Sequence, residues 1–130
     1  NMKTVLRRGG FICVTTRSYG FPYHSYPHDY WRYEIADVIK VFKDFEIIKL
    51  VKDREAPGVF LKARKPLNYK QIDLSDIALY SIILGKRTKK IVDFNEAPLT
   101  RKISLKFCES KFKWLLPGTL LNLLIKRYCI

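Results

Sequence analysis

The chain carries only two histidines and three cysteines, and Cys13, Cys108 and Cys129 lie far apart. That spacing excludes a C-x-x-C motif and a zinc ligand set built with the two histidines. No metal site is expected. Scattered cysteines in odd number fit a reducing cytoplasm. No apolar run reaches the roughly 18 residues that a membrane span needs, so no transmembrane segment is expected. The opening NMKTVLRRGG is basic but lacks the apolar stretch of a signal peptide. There is no G-x-G-x-G anywhere, no internal repeat and no low-complexity segment.

Acid is scarce too. Against 25 Lys and Arg stand 12 Asp and Glu, a formal charge of +13 over 130 residues. Residues 1–66 hold 13 basic and 7 acidic side chains, hence +6; residues 67–130 hold 12 and 5, hence +7. The excess is spread along the chain and is not a tail. It allows anionic partners such as RNA, phosphorylated metabolites or lipid headgroups. A solvated, Lys-rich surface accounts for it equally. The chain is long enough for one domain with a modest core.

What is present reads as α/β. GGFICVTTR sets two glycines before a β-rich apolar run, Phe11 to Thr16, of the kind buried on both faces of a parallel sheet. Residues 18–33 form a loop punctuated by Gly20, Pro22 and Pro27. Trp31, Ile35, Val38, Ile39 and Phe42 then recur with a 3.6-residue period, which predicts a helix with Asp37, Lys40 and Lys43 off its apolar face. Phe45 to Val51 and Val59 to Ala63 predict two strands. The E-A-P-G turn between them implies antiparallel pairing. Pro66 ends this unit, which spans residues 1–66.

Residues 67–130 are expected to be a mainly helical extension. LSDIALYSIILG reads as a helix capped by Asp73 or Ser75 and closed by Gly85. TRKISLKF fits a strand or a helix. The Leu-rich end around Leu120 to Ile125 predicts a final helix, packed on the sheet or on a second subunit. Its basic flanks also permit a membrane-surface helix. KRTKK, residues 86–90, fits phosphate contacts or a helix C-terminus.

The stretch YHSYPHDYWRY, residues 23–33, gathers both histidines with four Tyr, a Trp, an Asp and an Arg. Residues 5–66 resemble the C-terminal half of a class I S-adenosylmethionine-dependent methyltransferase. VLRRGGFICVTTRS is similar to the family's helix end and Gly-Gly leading into the fifth strand. FPYHSYPHDYWRY resembles a loop signature of one subset of these enzymes. FKDFEIIKLVKDREAPGVFLKARKP resembles the antiparallel sixth and seventh strands. The resemblance covers about half of the chain and implies a partial Rossmann-like methyltransferase unit, with a parallel strand, a helix and an antiparallel hairpin.

It also implies a substrate-side fragment. In that fold a glycine-rich turn after the first strand and an acid ending the second hold the cofactor. Gly9-Gly10 precedes a strand and cannot do this. No cofactor-binding residue is therefore assigned. S-adenosylmethionine belongs to the related family and is not expected to bind this chain alone, which implies a truncated transferase inactive in isolation. Glu34 stands where these enzymes often carry Thr.

Within this frame His24 and His28 fit a general base, a substrate contact or a brace for the loop. Tyr23 and Tyr26 fit a pocket lining, as do Tyr19 and Tyr30, whereas Trp31 fits the core. Asp29 and Arg32 fit a mutual pair, with Arg32 alternatively holding a carboxylate or phosphate and Asp29 capping the helix. Thr15, Thr16 and Arg17 fall at the carboxyl end of the first strand, the edge that faces ligand in open α/β sheets. The implied partners are a homo-oligomer or a separate cofactor-binding half, and a small or lipid-linked acceptor. A non-enzymatic basic module, dimer-forming or binding RNA or a membrane surface, is the alternative.

Overall fold

The computed structural model describes residues 2–24 and 28–109. The chain divides into two compact units, one of Asn1–Ser18 with Tyr33–Ile77, the other of Tyr19–Arg32 with Ala78–Ile130. Compactness therefore does not follow the boundary expected at residue 66. The aromatic loop leaves the first unit and joins the second.

The first unit starts with a one-turn helix, α1 (Met2–Val5). Gly9, at φ 76°, turns the chain into β1 (Phe11–Arg17). This left-handed backbone costs glycine nothing. Helix α2 (Ile35–Val41) and strands β3 (Glu46–Lys52) and β4 (Gly58–Arg64) complete the unit. The sheet order is β1-β4-β3. β4 pairs antiparallel with both neighbours, from Phe11↔Arg64 to Arg17↔Gly58 on one side and from Glu46↔Arg64 to Lys52↔Val59 on the other. β1 and β3 consequently run parallel to each other without touching. The expected hairpin is present as β3–β4, with a bulge in β3 between Ile47 and Lys49.

The core lies on one face of this sheet. Val59, Leu61 and Ala63 of β4 meet Val38, Phe42 and Phe45, and Ile12 and Val14 pack against the cluster. β1 was expected to be buried on both faces. Instead it alternates, with Phe11, Cys13, Thr15 and Arg17 exposed between half-buried neighbours. One face of the sheet meets α2 and the other meets water, which is the arrangement antiparallel sheets allow.

The helix also differs from its expected span. It begins at Ile35, behind a capping box in which Asp37 accepts the Glu34 backbone N–H at 3.0 Å. Glu34 thus occupies the N-cap position of this helix. Asp37, expected off the apolar face, is 1% exposed because it makes this cap. Ile39, expected on that face, is 47% exposed. Trp31 is not helical and lies in the second unit.

Two cationic side chains brace α1. The Lys3 ammonium pairs with Asp44 at 2.6 Å, both side chains being buried, and donates to the Val41 carbonyl at the end of α2. The Lys65 ammonium donates to the carbonyls of Lys3 and Leu6 at 2.6 and 2.7 Å and sits over the Tyr69 ring. Carbonyls left free at helix ends are natural acceptors for such groups.

In the second unit β2 (Trp31–Arg32), β5 (Leu79–Ser81) and β6 (Lys86–Thr88) form a second antiparallel sheet in the order β2-β5-β6. The helix expected over residues 74–85 is absent. Asp73 turns back to accept the Ser75 N–H and hydroxyl, a local bond that competes with a helix. Residues 82–85 are the β5–β6 turn, closed by Gly85 N–H to Ser81 O at 2.8 Å. Gly85 has φ 66°, and a Cβ there would stand 2.9 Å from the Arg101 guanidinium carbon. A 3-10 turn (Phe94–Glu96) leads to α3 (Leu99–Glu109), so TRKISLKF is helical. The Leu-rich segment beyond lies outside the described residues.

Burial pushes the Asp44 carboxyl up, but hydrogen bonding and the Lys3 charge outweigh it and hold the group below its ordinary value. A carboxyl lowered in this way stabilises the fold above its unfolded pKa, near 4, and loses that contribution as pH falls through the lowered value. Asp44→Asn should therefore cost about 3 kcal/mol at neutral pH, the low end for a broken buried pair because α1 can carry Lys3 out to water. It should also remove part of the acid-unfolding slope below pH 4. Urea titrations of both forms across pH 2–7 read both effects.

Candidate functional site

The aromatic loop is organised by one buried guanidinium. Arg32 is 1% exposed. Its Nη1 donates to Asp29 Oδ1 at 2.5 Å and to the Trp31 carbonyl at 3.0 Å. Its Nη2 donates to Asp29 Oδ2 at 2.8 Å and to the Pro22 carbonyl at 3.1 Å. Its Nε donates to the Phe21 carbonyl at 3.1 Å. All five N–H donors of the fork are used, which is what a planar guanidinium can supply and an ammonium cannot. Every donor of Arg32 is thus engaged within the loop, and the fork ties its two ends together. Asp29 is its partner and does not cap α2.

Strand pairing fixes the loop's far end. Trp31 lies opposite Ser81 and Arg32 opposite Tyr80. The Ile82 N–H donates to the Tyr30 carbonyl at 3.0 Å. Trp31, expected in the helix core, is here a half-buried strand residue. Tyr19 packs edge-on against Tyr80 at 5.1 Å.

These contacts shape a cleft of about 410 Å³, lined by Tyr23, His28, Asp29 and Tyr30 from the loop and by Asp93, Phe94, Asn95, Lys106 and Glu109 from later in the chain, with Ile83 at its base. Tyr23 is buried against Ile82, Ile83, Ala97 and Leu105. Burial, then the charges of Glu109 and Asp29, push its phenol above the ordinary value. Tyr30 donates its hydroxyl to Asp93 Oδ1 at 2.8 Å. That bond, with burial and the Asp93 charge, raises the Tyr30 phenol. His28 stacks on Tyr30 with ring centres 5.8 Å apart. Lys106 lies over Phe94.

Of the residues expected at a site, Tyr23, His28 and Tyr30 meet in this cleft. His24 does not line it. The His24 backbone N–H donates to Asp29 Oδ2 at 3.3 Å, while its ring, 46% exposed, stands 3.8 Å from the same oxygen. Tyr26 lies outside the described residues. Thr16 and Arg17 belong to the first unit, where with Thr15 they border a separate cleft of about 470 Å³ against Asp53, Glu55, Ala56 and Phe60. The cleft residues Asp93, Asn95, Lys106 and Glu109 carry no motif. They lie more than 60 positions from the loop, and only the β2–β5 pairing brings them to it. Among the described residues no group of three or more His, Cys, Asp or Glu can hold a metal ion, and no helix is long and apolar enough to cross a membrane.

The cleft offers carboxylates, phenols, an amine and one imidazole, and among the described residues its lining holds no cysteine or serine. It suits binding and proton exchange more than covalent catalysis. Arg32→Lys keeps one charge but loses the fork. It should lower stability by about 3 kcal/mol, as loss of a buried paired group does. Urea unfolding followed by circular dichroism reads this, and a variant within 1 kcal/mol of the wild type would show that the loop stands without the fork. No protein-family model, no curated protein and no solved structure matches the chain.

Proposed function

We propose that the chain is the substrate-side fragment of an S-adenosylmethionine-dependent methyltransferase, working with a separately supplied cofactor half or persisting as a truncated relic. The observation that carries this reading is the order of elements along residues 11–64. A strand, a long aromatic loop, a helix and an antiparallel hairpin follow one another as the resembled family's C-terminal half implies. The loop that resembles the family's signature supplies four lining residues of a cleft, Tyr23, His28, Asp29 and Tyr30. A small acceptor fits a cleft of this size.

The free side of β1 supports the reading further. β4 is the only strand partner of β1 among the described residues. Beside β1 lies a mainly apolar groove of about 350 Å³, lined by Val14, Thr15 and Thr16 with Val38 and Val41 of α2 and Phe42 just after it. A strand left at an open edge is a template for another.

The chain offers no glycine-rich turn to cradle the methionine moiety of the cofactor. Calorimetric titration of the isolated chain with S-adenosylmethionine should therefore give no saturable one-to-one binding. Tight one-to-one binding would contradict the absence of the cofactor half. A reading frame adjoining Met2 in the DNA that encodes a strand and a glycine-rich turn would support it.

A further inference from the structure

The water-facing side of the first sheet carries a pattern that folding does not require. β4 presents Phe60, Lys62 and Arg64 in a row along the middle of the sheet, every second residue and so about 6.6 Å apart. Lys49 of β3 lies directly opposite Lys62, and Glu46 of β3 lies opposite Arg64. Like charges facing each other across strands destabilise a sheet. Neither lysine nor Arg64 forms an ion pair with a carboxylate among the described residues. Lys62 and Arg64 instead lean over the exposed ring of Phe11, at 5.6 and 5.9 Å from its centre. Phe11 is 57% exposed and Phe60 41%. A shallow depression of about 310 Å³ runs between Cys13, Lys49, Phe60 and Lys62.

We infer that this face binds single-stranded nucleic acid, with Phe60 and Phe11 as stacking platforms and Lys49, Lys62 and Arg64 on the phosphates. Two independent features meet in this occupant. Lys49 and Lys62, which face each other and form no ion pair among the described residues, select a polyanion, and the chain's +13 charge draws one in. Exposed rings interleaved with the cations select unpaired bases, because a base held in a duplex cannot lie flat on a protein ring. A lipid headgroup would use the charges and leave the rings without a role. The unfavourable Lys49–Lys62 juxtaposition is relieved once a phosphate lies between them. This inference does not depend on the methyltransferase reading, because it uses the sheet face opposite α2 and none of the cleft residues.

The test uses the full chain and a fluorescein-labelled single-stranded oligouridylate, followed by anisotropy over a salt series. Affinity should fall as salt rises, and an unlabelled duplex should compete less well than the single strand. Phe60→Ala should weaken binding about tenfold with the salt slope unchanged. Lys62→Ala should also weaken it and reduce the slope by about 0.7, the share of one phosphate contact on a single strand. Both side chains are exposed, so melting temperatures should hold and certify the fold. The inference is overturned by any of three results. The wild type fails to bind, Phe60→Ala binds like the wild type, or vesicles containing phosphatidylserine compete as well as the oligonucleotide does.

Discussion

The first unit depends on β4 being paired on both sides. Among the described residues it is the only strand of its sheet with two neighbours, and its two faces have opposite chemistry. Val59, Leu61 and Ala63 are all but removed from water beneath α2, while Phe60, Lys62 and Arg64 look outward. A shift of one residue in its register would exchange these sets and bury three charged or exposed positions in the core. Truncating Leu61 alone would cost about 2–5 kcal/mol by the usual behaviour of buried leucine. Because β4 is central, β1 and β3 are both edges, and they are unequal. β3 is blunted by a bulge and by Lys49 and Lys52. β1 carries neither charge nor proline from Phe11 to Thr16. Natural sheets protect an edge with the devices that β3 has and β1 lacks.

Cations serve as internal struts as well as surface charge. Lys3, Lys65 and Arg32 are each buried and each satisfied, by Asp44, by helix-end carbonyls and by Asp29 with three loop carbonyls. Burial of a charge is tolerable only with such complete pairing. This separates the basic residues into two kinds. Those three hold the fold, whereas Lys49, Lys62 and Arg64 lie exposed with no acidic partner among the described residues.

The strand, loop, helix and hairpin order was legible in the sequence, because each element is bounded by strong local punctuation: Gly9-Gly10, Pro22, and the turn before Gly58. Apolar periodicity was misleading in two places. Trp31 sits in step with Ile35 and Val38, yet the Glu34–Asp37 cap starts the helix after it. ALYSIILG reads as a helix by composition, yet Asp73 and Gly85 bracket a strand and a turn, and β5 is fixed by its partners β2 and β6. The pair between Asp29 and Arg32 was legible from their three-residue spacing. That Arg32 spends every donor on the loop was not, since three of its acceptors are backbone carbonyls that any sequence would offer. Half of the cleft was likewise invisible. Asp93 and Glu109 reach the loop through tertiary pairing, and no local pattern marks them.

Among the described residues β1 pairs with β4 alone, so its outer edge is open. Alternation of the β1–β4 ladder, with Lys65 bonding Gly10 and Ser18 bonding Pro57, turns the amides of Ile12, Val14 and Thr16 toward β4 and those of Phe11, Cys13 and Thr15 away from it. Residue-resolved amide hydrogen exchange on the dilute chain tests this directly. The account predicts slow exchange at Ile12, Val14 and Thr16 and fast exchange at Phe11, Cys13 and Thr15. Equal protection at all six positions would contradict it, because the outer edge of β1 would then already have a partner.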